Sequence, residues 1–182
     1  MFSIVIPLFN KHKSIHYAVR SILAQSIRDY EIIIVDDGST DDSYLEVTRL
    51  THGDSRFQLI SKENGGVSSA RNVGICHAKY EYIAFMDADD YWEPTYLEEQ
   101  AGMIRDFPEA FMWGLSWNNV TNDLKRPQKH DVPADYRGLP DKYWERGLHL
   151  FWTSAVVVRK FLFEEIGYFN KQMTCGEDLD MW

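Results

Sequence analysis

The chain has 182 residues, 45% hydrophobic and 26% charged, a balance that excludes a disordered or fibrous protein and fits one compact domain. Nineteen basic against twenty-eight acidic residues leave a net charge of −9, which argues against nucleic acid or an anionic membrane as the default partner. The acidity leaves room for a phosphate-bearing ligand, because a bound divalent cation inverts the local sign.

In chain order, Phe2-Ser-Ile-Val-Ile-Pro7 is a short β-branched apolar run closed by proline, which predicts a buried strand. From Lys13 to Ser26 the apolar residues Ile15, Val19, Ile22 and Leu23 follow helical spacing. Tyr30 to Val35 predicts a second buried strand, running into Asp36-Asp37-Gly38-Ser39; Asp41 or Asp42 is placed to cap the helix that follows. Phe57 to Ile60 predicts a third strand, Asn64-Gly65-Gly66 a turn, and Val67 to Ala78 a helix. Glu81 to Met86 predicts a fourth strand, running into Asp87-Ala88-Asp89-Asp90.

Four such alternations with near-continuous apolar strands predict an α/β fold, a parallel sheet covered by helices on both faces. In such a sheet the loops at the carboxyl ends of the strands form the binding crevice. Asn10, Asp36, Asp37 and Asp87 to Asp90 all fall at those ends. Further on the regularity fades: a helix over Pro94 to Asp106, a strand over Phe111 to Trp117, a polar stretch from Asn118 to Pro140, a strand over Thr153 to Val158, a short helix over Arg159 to Ile166, and a helical start at Gly176 to Trp182. No repeat or linker divides the chain.

Cys76 and Cys175 lie far apart in no ligand spacing, which reads as a reduced, intracellular protein. The apolar start lacks a basic region, and no run reaches 18 apolar residues, so neither a signal peptide nor a membrane span is expected. The six histidines show no zinc spacing.

The strongest chemical signal is Asp87-Ala88-Asp89-Asp90 after an apolar strand. Such carboxylates can turn together towards Mg²⁺ or Mn²⁺, hard cations that also bind substrate phosphates; alone, the same residues make a solvated turn with Asp90 capping a helix. Asp37 can accept from a base edge or a ribose hydroxyl, or simply close a capped turn. Gly65-Gly66 opening a helix can seat phosphate on backbone N–H groups, with Arg71 supplying positive charge, or simply make a turn followed by a surface arginine. Glu177-Asp178 offers a general base beside an orienting carboxylate, or ordinary acids at a helix start. Trp113, Trp117, Trp144 and Trp152 belong to a core or present stacking faces to sugar rings.

Taken together, Ile4 to Asn10, Val35 to Asp41, Asn64 to Val67 with Ala70 to Asn72, Phe85 to Asp90, and Gly176 to Trp182 resemble, in order, the motifs of the family 2 glycosyltransferases. The resemblance implies a GT-A type, Rossmann-like, mostly parallel sheet and an inverting transfer from a nucleotide-sugar, UDP-linked by first expectation, to an acceptor hydroxyl. It implies Pro7 and Phe9 at the base, Asp37 binding it, Arg71 beside the nucleotide, and Asp87 at the ribose or metal. Asp89 would hold Mn²⁺ or Mg²⁺ with Asp90 sharing that role, and Asp178 would be the catalytic base with Glu177 beside it. Residues 1–90 would form the nucleotide-sugar half of a single domain and 91–182 the acceptor half.

The implied partners are the nucleotide-sugar donor and a saccharide or lipid-linked saccharide acceptor, in synthesis of a bacterial surface polysaccharide. The implied place is the cytoplasm, with peripheral association at the inner face of the membrane left open. The family continues past the Glu-Asp motif, so a chain ending at Trp182 reads as a truncated catalytic core; the alternative is a nucleotide-sugar-binding domain without turnover.

Overall fold

The computed structural model describes residues 1–121, 124–127, 152–173 and 176–181. Its central sheet has six strands. β1 (Phe2–Leu8), β2 (Tyr30–Asp36), β3 (Phe57–Ser61) and β4 (Tyr82–Phe85) alternate with α1 (Ile15–Leu23), α2 (Ser43–Thr51) and α3 (Val67–His77). After α4 (Tyr96–Asp106) come β5 (Met112–Gly114) and a hairpin of β6 (Asn118–Thr121) and β7 (Leu124–Pro127). A 3₁₀ turn (Thr153–Ala155) then leads into β8 (Val156–Arg159), α5 (Phe161–Ile166) and α6 (Glu177–Met181).

The sheet order is β3-β2-β1-β4-β8-β5. The first four strands are mutually parallel, whereas β8 runs antiparallel to both β4 and β5. Pleating divides the apolar strand residues between two cores. Ile4, Ile6, Leu8, Ile32 and Ile34 face one side, packed on Ile15, Val19 and Ile22 of α1, Val47 of α2 and Leu97 of α4. Val5, Ile33, Val35 and Phe85 face the other, packed on Ala70 and Ile75 of α3 and Phe163 of α5. Burial on both faces is why the strands lack polar alternation.

The expected strands and helices are present with shifted ends. Phe111 to Trp117 contracts to the three residues of β5, and the strand expected from Thr153 starts at Val156 because Thr153–Ala155 turn as a 3₁₀ helix. The polar stretch begins with the β6–β7 hairpin, an element the sequence reading lacks; its remainder, with Trp144, Cys175 and Trp182, lies outside the described residues. Cys76 is an exposed free thiol. Trp113 is core. Among the described residues no helix is long and apolar enough to cross a membrane.

Two local features fix the site's framework. Gly74 lets α3 lie directly on β1, since a Cβ there would stand 2.3 Å from Val5 Cγ1. Gly38, at φ +75°, turns the chain after β2 where a Cβ would meet the Asn64 backbone nitrogen at 3.0 Å.

Candidate functional site

The carboxyl ends of β1, β2 and β4 open on a cavity of about 480 Å³, a size suited to a small-molecule ligand. Pro7, Phe9, Asp37, Arg71, Asp87, Asp89 and Glu177, all singled out from sequence, line it, together with Lys11, Asn64 and Val67. A hollow of the same volume between α3 and residues 168–171 has no carboxylate in its lining.

The loops around the cavity are stitched to one another. Asn10 takes a positive φ of 52°, and its Oδ1 accepts the Thr40 N–H at 2.8 Å. Ser43 Oγ accepts the Lys11 N–H at 2.8 Å; Asp42 occupies the N-cap position of α2 without a side-chain cap bond, and it is Asp41 that accepts the Ser43 N–H at 3.0 Å.

Asp37 is almost fully buried and binds protein backbone. Its carboxylate accepts the N–H groups of Gly65 at 3.0 Å and Gly66 at 2.8 Å and pairs with the Lys62 ammonium. This corrects the phosphate seat expected at Gly65-Gly66: those two donors are engaged by Asp37, and the turn is a wall of the cavity. Asn64 Nδ2 closes the arrangement by donating to the Asp37 carbonyl at 2.9 Å.

Arg71, expected as a surface cation or a phosphate partner, is 3% exposed. Its Nη2 meets Asp87 Oδ1 at 2.8 Å and its Nη1 meets Glu177 Oε1 at 2.7 Å, so one guanidinium ties the end of β4 to the start of α6. Its fork geometry suits two carboxylates at once. The Phe169 ring lies under it at 5.4 Å, while Asn72 holds the Phe169 backbone through both amide atoms at 2.9 and 3.0 Å. Burial opposes the charge on Arg71, but Asp87 and Glu177 outweigh it and raise its pKa. Burial also lifts the Asp87 carboxyl above its ordinary value, against the pull of Arg71 and with help from Asp90 and Asp89.

The three aspartates of the acidic cluster turn to three different partners. Asp87 faces Arg71, Asp89 pairs with Lys11 Nζ at 2.5 Å on the cavity rim, and Asp90 accepts the Trp152 indole N–H at 2.9 Å. Among the described residues no group of three or more His, Cys, Asp or Glu side chains gathers as a metal site. A hard divalent ion does not need three, since it takes one or two carboxylates and completes its shell with ligand phosphates and water. Asp89 and the less exposed Asp87, both in the lining of the same cavity, supply that donor chemistry.

Asp90 and Asp178 do not line the cavity. Asp178 accepts from the Thr153 hydroxyl at 3.3 Å. Ser154 Oγ accepts the Asp87 N–H at 2.9 Å, and the Ser154 carbonyl accepts the Trp92 indole N–H at 2.6 Å. Residues 152–154 thus touch all three parts of the predicted chemistry: Asp90, Asp178 and Asp87. Sequence reasoning missed Thr153, Ser154 and Lys11. Lys11 carried a signal, as a cation directly after the polar end of β1; Thr153 and Ser154 carried none, because their contacts span the chain.

The profile of "Glycosyl transferase family 2" matches residues 3–167. An Escherichia coli UDP-Glc:alpha-D-GlcNAc-diphosphoundecaprenol beta-1,3-glucosyltransferase is 32% identical over 71% of this chain and 52% of its own length. Among solved structures, residues 1–349 of Staphylococcus aureus TarS in complex with UDP superpose with a TM-score of 0.76 at 23% identity, over 97% of this chain and 52% of that one. The Pyrobaculum calidifontis mannosyltransferase PcManGT, in complex with GDP-Man and Mn²⁺, gives 0.72 at 21% identity, over 94% and 48%. These superpositions bear out the GT-A, Rossmann-like fold, with its mostly parallel sheet. The chain spans 30% to 57% of the length of the first curated relatives it matches.

Proposed function

The chain belongs to glycosyl transferase family 2, and from that premise we propose that it moves a sugar from a nucleoside-diphosphate sugar to an acceptor hydroxyl with inversion at the anomeric carbon. The observation that carries the proposal is the gathering of Asp37, Arg71, Asp87, Asp89 and Glu177 around one cavity, with Asp178 adjacent to Glu177 in the chain.

In this reading residues 1–90 provide the donor side and the later residues the acceptor side. Pro7, Phe9 and Val67 give the cavity an apolar surface for the flat face of the base. Asp37 is the polar group at that end, its orientation already set by Gly65 and Gly66. Uridine is the first candidate, supported by the UDP bound to TarS and the UDP-Glc named for the E. coli relative. Asp87 and Asp89 would hold Mg²⁺ or Mn²⁺, an ion that supplies neutralisation of the charge growing on the leaving diphosphate. Support for that ion comes from the oxygen donor set and from the Mn²⁺ in PcManGT. Lys11 neutralises Asp89 before a ligand arrives and is released towards the phosphates afterwards.

Asp178 removes the proton of the acceptor hydroxyl as it attacks. A single base facing the departing diphosphate gives inversion. Glu177, locked to Arg71, fixes the first turn of α6 and so holds Asp178 against Thr153. The undecaprenyl-diphosphate acceptor named for the E. coli relative favours a lipid-linked saccharide as acceptor, in surface polysaccharide synthesis at the cytoplasmic face of the membrane.

The test is product stereochemistry. The protein is incubated with Mn²⁺, an α-linked UDP-sugar and a lipid-linked monosaccharide, and the product's anomeric proton is read by NMR. A β-linkage is expected. An α-linkage would overturn the single-base mechanism, and donor binding without transfer would reduce the assignment to a nucleotide-sugar-binding domain.

A further inference from the structure

Resting on the glycosyl-transfer reading, we propose that Trp152 and Trp117 form the acceptor subsite, a stacking platform for a neutral pyranose ring, and that Asp90 positions Trp152. The two indoles stack at 29° with centroids 6.0 Å apart, and Trp152 remains 44% exposed. Its one polar atom is spent on Asp90, so what it presents to water is carbon surface. An indole held this way attracts the polarised C–H face of a sugar, because the aromatic face is electronegative.

Its place supports the acceptor over the donor. Neither tryptophan lines the nucleotide cavity. The residue after Trp152 is Thr153, whose hydroxyl contacts Asp178, and the next is Ser154, which holds the Asp87 backbone. Both are buried in the 3₁₀ turn. Trp152 is therefore anchored beside the candidate base, where the ring bearing the nucleophilic hydroxyl must lie. Asp90 follows Asp87 and Asp89 in the acidic cluster, and its carboxylate accepts the Trp152 indole N–H, which makes Asp90 a positioning residue.

The test uses the whole chain with ¹⁵N-labelled tryptophan and follows the indole N–H signals, that of Trp152 identified with Trp152→Phe. Methyl β-glucopyranoside and methyl 2-acetamido-2-deoxy-β-glucopyranoside are the probes, and sorbitol is the acyclic control. The Trp152 signal is expected to shift saturably with at least one pyranoside and not with sorbitol. Trp152→Ala should weaken pyranoside affinity at least tenfold while UDP·Mn²⁺ affinity stays within twofold. Asp90→Ala should weaken pyranoside affinity, and Asp90→Asn, which still accepts the indole N–H, should restore it.

A Trp152 signal unmoved by both pyranosides, or moved equally by sorbitol, would overturn the platform. Loss of Mn²⁺ binding in Asp90→Ala would overturn the positioning role and return Asp90 to the metal. Failure of the unsubstituted protein to bind UDP·Mn²⁺ would strike the glycosyltransferase reading itself, a result separate from the pyranoside titration.

Discussion

Replacing Arg71 by methionine removes a guanidinium that is 3% exposed and leaves two carboxylates without their partner. Breaking a buried ion pair from one side costs about 3–5 kcal/mol. Water reaches 28% of the Asp87 side chain and 13% of Glu177, which places this case near the lower end, at about 3 kcal/mol. In a chain of this size each kcal/mol moves Tm by roughly 2–4 °C, so Arg71→Met should melt roughly 6–12 °C below the unsubstituted protein. Arg71→Lys keeps the charge but lacks the fork, can serve one carboxylate at a time, and should lose roughly half as much. The assay is calorimetric unfolding at neutral pH, with Arg49→Met as control, since the Arg49–Glu46 pair lies on the surface and its loss should leave Tm unmoved. Mn²⁺ should recover part of the Arg71→Met deficit by screening the stranded carboxylates. An Arg71→Met shift no larger than that of Arg49→Met would refute the view of Arg71 as the buried tie between β4 and α6.

Gly74→Ala should destabilise the fold by up to about 2 kcal/mol, because overpacking against Val5 costs about 1–3 kcal/mol and better helix propensity returns about 1. In urea titration Val5→Ala should offset part of that loss, and a stabilised Gly74→Ala would contradict the contact. Acid should weaken donor binding early. In the proposed reading binding uses the Asp87 carboxylate, and burial raises its pKa in the metal-free protein, so its proton returns above the ordinary value of roughly 4 as pH falls. UDP-glucose is the right ligand for that titration, since its diphosphate does not itself titrate there, and Mn²⁺ is kept well below saturation so that the proton competes with it; an affinity that stays flat down to pH ~4 under those conditions would refute the shift. Asp178→Asn should leave nucleotide affinity intact and lower transfer by roughly 10²–10⁴-fold; parallel loss of binding would make Asp178 a structural residue.

The sequence made the first half of the fold legible for a physical reason. Ile4 to Ile6, Ile32 to Val35 and Ile83 to Phe85 are buried on both faces, so their uninterrupted hydrophobicity announces a parallel sheet. Strand direction in the second half was not legible. Val156–Arg159 looks like the parallel strands, yet it runs antiparallel between β4 and β5, a choice made by the path of the chain and by pairing partners rather than by local residue pattern. At the site the polar strand ends pointed to Asp37, Asp87 and Asp89, the glycine turn to Arg71, the acidic helix start to Glu177 and the family resemblance to Pro7 and Phe9, all of which line the cavity, whereas the use made of each group depended on distant contacts. Gly65 and Gly66 offer N–H donors in the sequence, and only the fold reveals that Asp37 takes them. Arg71 reads as a surface cation on its helix, and only the approach of Glu177, 106 residues away, makes it a buried tie. Thr153 and Ser154 have no polar motif around them; their part in the site comes from a 3₁₀ turn the periodicity did not announce.

The most direct test of donor binding is a thermal-shift panel of nucleoside diphosphates with and without Mn²⁺, on the unsubstituted protein and on Asp89→Ala. A ligand that binds only the folded state raises Tm by mass action. The expected result is stabilisation by one nucleotide, UDP first, that requires Mn²⁺ and disappears in Asp89→Ala. No stabilisation by any nucleotide, or the same stabilisation by UDP·Mn²⁺ in Asp89→Ala, would contradict the assignment of this cavity to a metal-assisted nucleotide-sugar.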